Sequence, residues 1–448
     1  MLPCTRDDAI AVLRRLREAG HTAYFAGGCV RDLLLGLEPK DYDVATDAPP
    51  DRVRQLFRNT QAVGAAFGVI LVRQGKSVVE VATFRTDHAY ADGRRPTGVT
   101  FSTPEEDAQR RDFTINGLFL DPVADQVIDF VGGRADLAAR RLRAIGDPAA
   151  RFGEDHLRLL RAVRFAARFG FEIEPTTAAA IRKSAPHLQR ISPERVGDEL
   201  RRILTPTTRS NAWQMLWDLA LAHTVFRHLA PRSSALAPSP GTPGEGRGEG
   251  TQDSALRTQD FLFPQVAPGA PISAGLALAA AALCYRRQTT RIDDLRPLLT
   301  RPGAGQLVRA MRQGLKISNE ESDEMQGALE GLTPLLADPF PTVAQLKRFL
   351  ARPTSGASRH LLGAFIAVGL HAQRIDGLRP RLAELEKTEV APLPLLTGDD
   401  LTAAGYAPGP LFKRLLDAVY DAQLELRIDT KGEALALART LAGPANDE

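Results

Sequence analysis

Cysteine is scarce, net charge is small and long apolar runs are missing. Each shortage excludes something. The 448 residues contain three cysteines, Cys4, Cys29 and Cys284, far apart. An odd, scattered set offers no disulfide framework and no zinc-ligand spacing. Cys29 adjoins a Gly-Gly pair, but no histidine neighbours it, which argues against a cysteine nucleophile. The eight histidines form no His-Asp dyad, so no metal-dependent phosphohydrolase module is expected. Net charge is +3, from 57 Lys+Arg against 54 Asp+Glu, so any nucleic-acid site must be a local patch. The longest apolar run, Ala274 to Cys284, is far short of the roughly 20 residues of a membrane span. The opening residues include Arg6, Asp7 and Asp8 and no apolar core, so no signal peptide and a cytoplasmic location are expected. What remains is ordinary for a globular protein: 44% apolar and 25% charged residues, with length for two to four domains.

The stretch YFAGGCVRDLLLGLEPKDYDVAT, residues 24–46, organises the chain. Tyr24 to Ala26 reads as the end of an apolar strand. Gly27 and Gly28 break it, Cys29 to Leu35 reads as a short helix, and Gly36 stops that helix. Asp41 to Ala45 reads as a second strand. Alternation along a strand points Asp41 and Asp43 the same way. Two such carboxylates repel by roughly 4 kcal/mol at ~4 Å and an effective dielectric near 20. A divalent cation removes that cost, and oxygen-only ligands suit Mg²⁺, which takes one or two carboxylates plus substrate phosphates. The Gly-Gly turn offers bare N–H groups to an anion, and Arg31 adds a positive fork. The bland alternative is a solvated D-x-D on an edge strand.

Thr5 to Gly20 reads as an amphipathic helix with Thr5 as its N-cap, and residues 51–58 as a short helix. Residues 68–72 and 77–84 read as a hairpin. Glu80 interrupts the second, apolar strand; it either faces water from an edge or needs a partner. Residues 85–107 lack periodicity and read mostly as a mobile loop. Arg110-Arg111-Asp112-Phe113-Thr114-Ile115-Asn116-Gly117 follows, then a strand at 126–130. Glu154 to Phe169 reads as one strong helix. Asp155 and Arg158 are three apart on it and can pair, with Arg161, Arg164 and Arg168 continuing the basic side; a salt-bridged solvent face is the competing reading. Residues 134–204 hold 15 Lys+Arg against 9 Asp+Glu, a basic neck suited to an RNA backbone. Residues 231–271 are dense in Pro, Gly and Ser and read as a disordered insertion, with partner recruitment the alternative. From Ile272 onward the pattern is helical.

GGCVRDLLLG, KDYDVAT, RRDFTING and EDHLRLLRAVRF together resemble the tRNA nucleotidyltransferase (CCA-adding enzyme) and bacterial poly(A) polymerase family. That family lies within the nucleotidyltransferase superfamily that includes DNA polymerase β. The likeness covers about residues 20–205 well and 396–425 weakly. Gly117 stands where the family has Ala, a change expected to be harmless. The resemblance implies an α+β fold, a small mixed-sheet nucleotidyltransferase head at 1–133. An all-helical neck at 134–205, a body at 206–385 and a tail at 386–448 that binds tRNA would follow.

It also implies site roles. Asp41 and Asp43 would hold Mg²⁺, with Glu80 as a third catalytic carboxylate. Gly28 and Arg31 would hold the triphosphate and Arg111 the nucleotide, while Asp112 and Asn116 brace the ribose side. Asp155 and Arg158 would read the base. Arg161 and Arg164 are assigned to phosphates or to holding that template. The segment Ile191 to Leu200 resembles the family's fifth motif, and the loop at 86–104 would help switch from C to A. The expected activity is addition of C, C and A to the 3′ end of tRNA from CTP and ATP. The alternatives are a poly(A) polymerase, an enzyme restricted to CC or to A, or an RNA-binding protein with an inactive head. No membrane association is expected, and the oligomeric state is left open.

Overall fold

The computed structural model describes residues 4–64, 67–75, 77–88, 97–230, 262–286, 292–370 and 372–442. They fall into two compact units, Met1–Arg227 and His228–Glu448.

The first unit begins with helix α1, Arg6–Glu18, whose N-cap Thr5 accepts from the Asp8 amide at 3.2 Å. It buries Ala9, Val12, Leu13 and Leu16. A seven-stranded sheet follows. In chain order its strands are β1 (Ala23–Ala26), β2 (Val44–Thr46), β3 (Thr60–Gly64), β4 (Val69–Gln74) and β5 (Ser77–Thr83). Beyond a separate pair, β6 (Arg85–Asp87) and β7 (Val99–Phe101), come β8 (Leu118–Asp121) and β9 (Gln126–Asp129). Spatial order is β3-β4-β5-β2-β1-β8-β9. The pair β2–β5 is parallel and the other neighbours are antiparallel, so the sheet is mixed, as expected. Phe84 and Phe119 meet edge to face at 5.7 Å on one side of it. Apolar alternation in these short strands gives each a buried face.

Helices α2 (Gly28–Leu34) and α3 (Pro50–Leu56) stand near their expected positions. The segment 85–107 is more ordered than its composition suggests. The β6–β7 pair closes it, and α4, Pro104–Gln109, opens with a capping box between Thr103 and Glu106. Residues 89–96 at its tip lie outside the described residues.

After α5 (Gly133–Ala138) the sheet gives way to helices. A short parallel pair, β10 (Arg141–Leu142) with β11 (Glu172–Ile173), clips the neck together. The reading of one helix from Glu154 to Phe169 is corrected: α6 is Pro148–Glu154 and α7 is Arg158–Phe169. Asp155 between them is extended, with φ −145 and ψ 105. Helices α8 (Pro175–Ser184), α9 (Pro193–Leu204), α10 (Arg209–Asp218) and α11 (Leu221–Val225) complete the unit. The compact unit therefore runs past the expected neck boundary at 205, because α10 packs on α7 and α9.

The second unit is helical, from Ala274–Arg286 to Lys431–Ala442. Of the segment 231–271, read as a disordered insertion, residues 231–261 lie outside the described residues. Residues 262–271 do not fit that reading. A 3-10 turn, Phe263–Gln265, buries Leu262, Phe263 and Val266. Three apolar side chains within five residues outweighed the surrounding Pro and Gly. The last helices share a core of Leu401, Leu415, Val419 and Ala434.

Candidate active site

Asp41 to Asp43 is extended chain just ahead of β2, not part of that strand. The alternation expected of it holds nonetheless. The Asp43 carbonyl accepts from the Ala26 amide at 3.1 Å, and the Tyr42 ring packs on Phe25 at 5.3 Å. Tyr42 is buried, so Asp41 and Asp43 face the opposite way, into a cleft of about 1330 Å³. Glu80 lines the same cleft from β5. That strand lies between β4 and β2, which rules out an edge position. Loss of solvation, and then the charges of Glu80 and Asp41, push the Asp43 carboxyl up to about 7 against the pull of Arg111. Loss of solvation also raises Glu80, with Arg85 opposing it.

All twelve residues singled out from the sequence line this cleft: Gly28, Arg31, Asp41, Asp43, Glu80, Arg111, Asp112, Asn116, Asp155, Arg158, Arg161 and Arg164. Among the described residues, no three His, Cys, Asp or Glu side chains form a ready-made metal cage. The donor set still suits a hard cation that completes its shell with substrate oxygens, because Asp41 and Asp43 supply two adjacent carboxylates and no softer ligand.

A buried relay joins the head to the neck. Arg31 is 4% exposed, donates to Asp32 at 2.6 and 2.8 Å, and reaches the Asn116 side chain at 2.5 Å. It also lies against the Phe165 and Phe169 rings of α7, 5.1 and 4.7 Å from their centroids. Asn116 donates to Asp112 at 2.9 Å, and Asp112 takes Arg161 of α7 at 2.6 Å. Burial raises the Asp112 carboxyl, but Arg161 and the Asn116 amide outweigh it and hold the group well below the usual carboxylate range. Arg31 is thus a tie between the two halves as well as a cleft residue.

Arg111 pairs with Asp107 at 2.9 Å and reaches back to the Asn116 carbonyl at 3.3 Å. Glycine at 27 permits this approach. Its φ is +71, and a Cβ there would lie 2.7 Å from Arg111 Nη1. At Gly117 a Cβ would lie 2.7 Å from Val131 Cγ2, so alanine would oblige Val131 to shift.

The Asp155–Arg158 pairing expected from helical spacing does not form, because Asp155 is not helical. Asp155 accepts from the Leu157 amide at 3.0 Å and pairs with Arg195 of α9 at 2.7 Å. Arg158 instead pairs with Glu154 and donates to the Arg151 and Arg110 carbonyls at 2.9 and 3.3 Å. Both side chains still line the cleft. A carboxylate has about four lone-pair sites and a guanidinium five donors, so each keeps capacity for a ligand. Arg164 pairs with Glu199 at 3.1 Å and stacks on Phe165. Cys29 is buried and donates to the Ala26 carbonyl at 3.3 Å, consistent with a structural thiol.

The sequence assigned no role to Asp107 or Arg195, and gave Gly27 a part only in the Gly-Gly turn. The i, i+4 spacing of Asp107 and Arg111 was a usable signal. Nothing local links Arg195 to Asp155, forty residues away.

Residues 23–143 match the Poly A polymerase head domain, and residues 170–232 match the probable RNA and SrmB-binding site of polymerase A. The chain thus carries a Poly A polymerase head domain followed by the RNA-binding region of such polymerases. It is 44% identical over 229 residues to a CCA-adding enzyme of Streptococcus suis, covering 49% of this chain and 57% of that one. It is 43% identical over 231 residues to poly(A) polymerase I of Salmonella typhimurium, covering 49% and 50%. The chain thus spans about half the length of these curated relatives. Its fold superposes on a crystal structure of the Bacillus stearothermophilus CCA-adding enzyme in complex with CTP, with a TM-score of 0.68 and 28% identity over 96% of each chain. A Thermotoga maritima CCA-adding enzyme complexed with tRNA shares the fold at a TM-score of 0.62 and 19% identity, over 96% of this chain and 93% of that one. Among the described residues no helix is long and apolar enough to cross a membrane.

Proposed function

We propose that this chain is a nucleotidyltransferase that adds C, C and A to the 3′ end of tRNA from CTP and ATP, releasing pyrophosphate. The observation that carries the reading is one cleft with two unlike walls. Asp41 and Asp43 just ahead of β2 and Glu80 on β5 form one wall, and Asp155, Arg158 and Arg161 of the neck line the other. A nucleoside triphosphate has matching unlike ends.

Asp41 and Asp43 would hold Mg²⁺, which when bound lowers the pKa of the primer hydroxyl and stabilises charge at the α-phosphate. Glu80 adds negative potential beside them. Gly28, at the start of α2, presents backbone N–H to the phosphates, and Arg111 adds a cation held in place by Asp107. Asp155 accepts from an exocyclic amine, which C and A carry and U and G lack at the equivalent edge. Arg158 donates to N3 of C or N1 of A; in U and G that nitrogen is itself a donor. The relay Arg31–Asn116–Asp112–Arg161 fixes the distance between the base-reading and phosphate ends.

The test is incubation with tRNA lacking its 3′ end and each labelled nucleotide in turn. Sequential incorporation of C, C and A supports the reading. Addition of A alone in long tracts identifies the poly(A) activity that the Salmonella relative's name carries. No incorporation with any nucleotide removes it.

A further inference from the structure

Asp155 and the arginine that holds it lie on two segments that also meet at a pair of histidines. His156 directly follows Asp155, in the turn between α6 and α7. Its ring lies against that of His187, 5.0 Å between centroids and tilted by 48°. His187 stands on the 3-10 turn Ala185–Arg190, which leads into α9 and Arg195. The α6–α7 turn is thus held at two neighbouring points. Asp155 is tied to α9 through Arg195, and His156 to the segment before α9 through His187.

The turn is tight. The Asp155 carbonyl accepts from the Arg158 amide at 3.0 Å, and the His156 carbonyl from the Leu159 amide at 3.2 Å. Closures over three residues leave little slack, so a displaced His156 carries Asp155 with it. His156 is 6% exposed, and among the described residues its Nδ1 has no hydrogen-bond partner. An unpaired buried polar atom is costly, and a charged one more so. The phosphate, metal and base contacts proposed above make no use of this ring.

Its surroundings favour a neutral imidazole. Burial, and then the neighbouring His187, hold it below its ordinary 6.5, and Arg190 adds to them. The Phe152 carbonyl and the Asp155 carboxylate pull the other way and are outweighed. The charged and titratable groups that face the ring are therefore His187 and Arg190 from the 3-10 turn and Asp155 from its own segment, the last already paired with Arg195. A proton on His156 places a cation out of water beside two basic side chains.

We propose that His156 is a positioning residue for base choice: its neutral ring, seated on His187, keeps Asp155 in place, and a proton on it releases that hold. This rests on the reading of Asp155 as the base-facing residue. An imidazole kept neutral in the closed turn takes a proton more readily when the turn opens. The closed turn is therefore fully favoured above about pH 6.5 and loses up to about tenfold for each pH unit below it.

The test is discrimination as a function of pH. Values of kcat/KM are measured for CTP and UTP on tRNA lacking its three terminal nucleotides, in steps from about pH 8 to about pH 5.5. Their ratio cancels groups that act on every nucleotide alike, Asp43 among them. In the wild type the CTP/UTP ratio should fall about three- to tenfold across the range. His156→Phe keeps a ring in place and cannot titrate, so its ratio should stay level. His187→Phe removes the facing imidazole and should make the fall shallower. A level wild-type profile, or coincident profiles in the wild type and the variants, overturns the inference while base choice stands. A ratio near one already at pH 8 overturns the reading of Asp155 as well. Should His156→Phe fail to fold, His187→Phe carries the comparison. If the wild type transfers no nucleotide, the proposed activity fails, and the ratio of CTP to UTP binding constants over the same pH steps, by calorimetry, decides the role of His156 by the same outcomes.

Discussion

Arg161 Nη2 lies 2.6 Å from Asp112 Oδ2, and this contact ties the α7 helix to the turn that follows α4. The carboxylate is buried and also accepts from the Phe113 amide and the Asn116 side chain, both at 2.9 Å. With Arg31 on the Phe165 and Phe169 rings, it is one of the points at which the two walls of the cleft are held to one another.

Removing Asp112 would leave Arg161 without its partner and Asn116 with a lost acceptor. Breaking a buried pair from one side costs about 3–5 kcal/mol. Asp112→Ala should therefore lower Tm by several degrees and depress incorporation of every nucleotide alike. Differential scanning fluorimetry and a four-nucleotide assay measure both. An unchanged Tm would show that the contact holds nothing together.

The same carboxylate sets an acid limit. Asp112 is held below its ordinary value, so it adds stability above the usual carboxylate range and loses it as pH falls through the depressed folded value. Glu174 behaves alike: burial opposes its ionisation, but the Thr176 hydroxyl and Thr177 amide win and hold it down to about 2. Through these two carboxylates the first unit should lose stability as pH falls from about 4 toward 2, while Asp43, raised to about 7, favours folding more at pH 4 than at pH 7. Urea titrations at stepped pH should show a smaller acid loss in Glu174→Gln. An equal loss would remove Glu174 from the account.

Asp43→Ala should abolish incorporation at saturating Mg²⁺ while tRNA binding persists, since no RNA contact is assigned to Asp43. Filter binding and single-turnover incorporation separate the two. Near-normal turnover would falsify the assignment of the D-x-D pair to the metal.

Asp155→Ala should erode discrimination against UTP and GTP more than it weakens nucleotide binding. A bidentate base contact is worth ~1–3 kcal/mol, roughly ten- to a hundredfold per contact. Arg195→Ala should give a milder version of the same loss, because Arg195 only orients Asp155. The readout is kcat/KM for all four nucleotides. Wild-type ratios in both variants would reduce this group to a structural salt bridge.

Deleting residues 234–258 should leave Tm and activity nearly unchanged, since a Pro/Gly/Ser-rich stretch buries little. Phe263→Ala, a few residues further on, should cost about 3–5 kcal/mol by opening a cavity. If the deletion destabilises as much as the substitution, the stretch has a packed role.

Much of the site was legible in the sequence because its signals are local. Gly27-Gly28 after an apolar strand, Asp41 and Asp43 two apart, and the Arg110–Asn116 run each depend on spacing over a few residues. So do the strands beside them, whose alternation fixes which side chains turn inward. The pairing of charges was decided only by the tertiary structure. Asp155 and Arg158 are near neighbours in the chain, yet they take Arg195 and Glu154, because the backbone leaves the helix at Asp155. An ion pair depends on where side-chain ends meet in space, and residues forty or more positions apart meet only once the sheet and neck have packed. Which cations remain uncommitted is likewise a property of the folded cleft. Arg202 looks like any other arginine in the sequence, and only the fold sets it against the cleft within the field of Glu199.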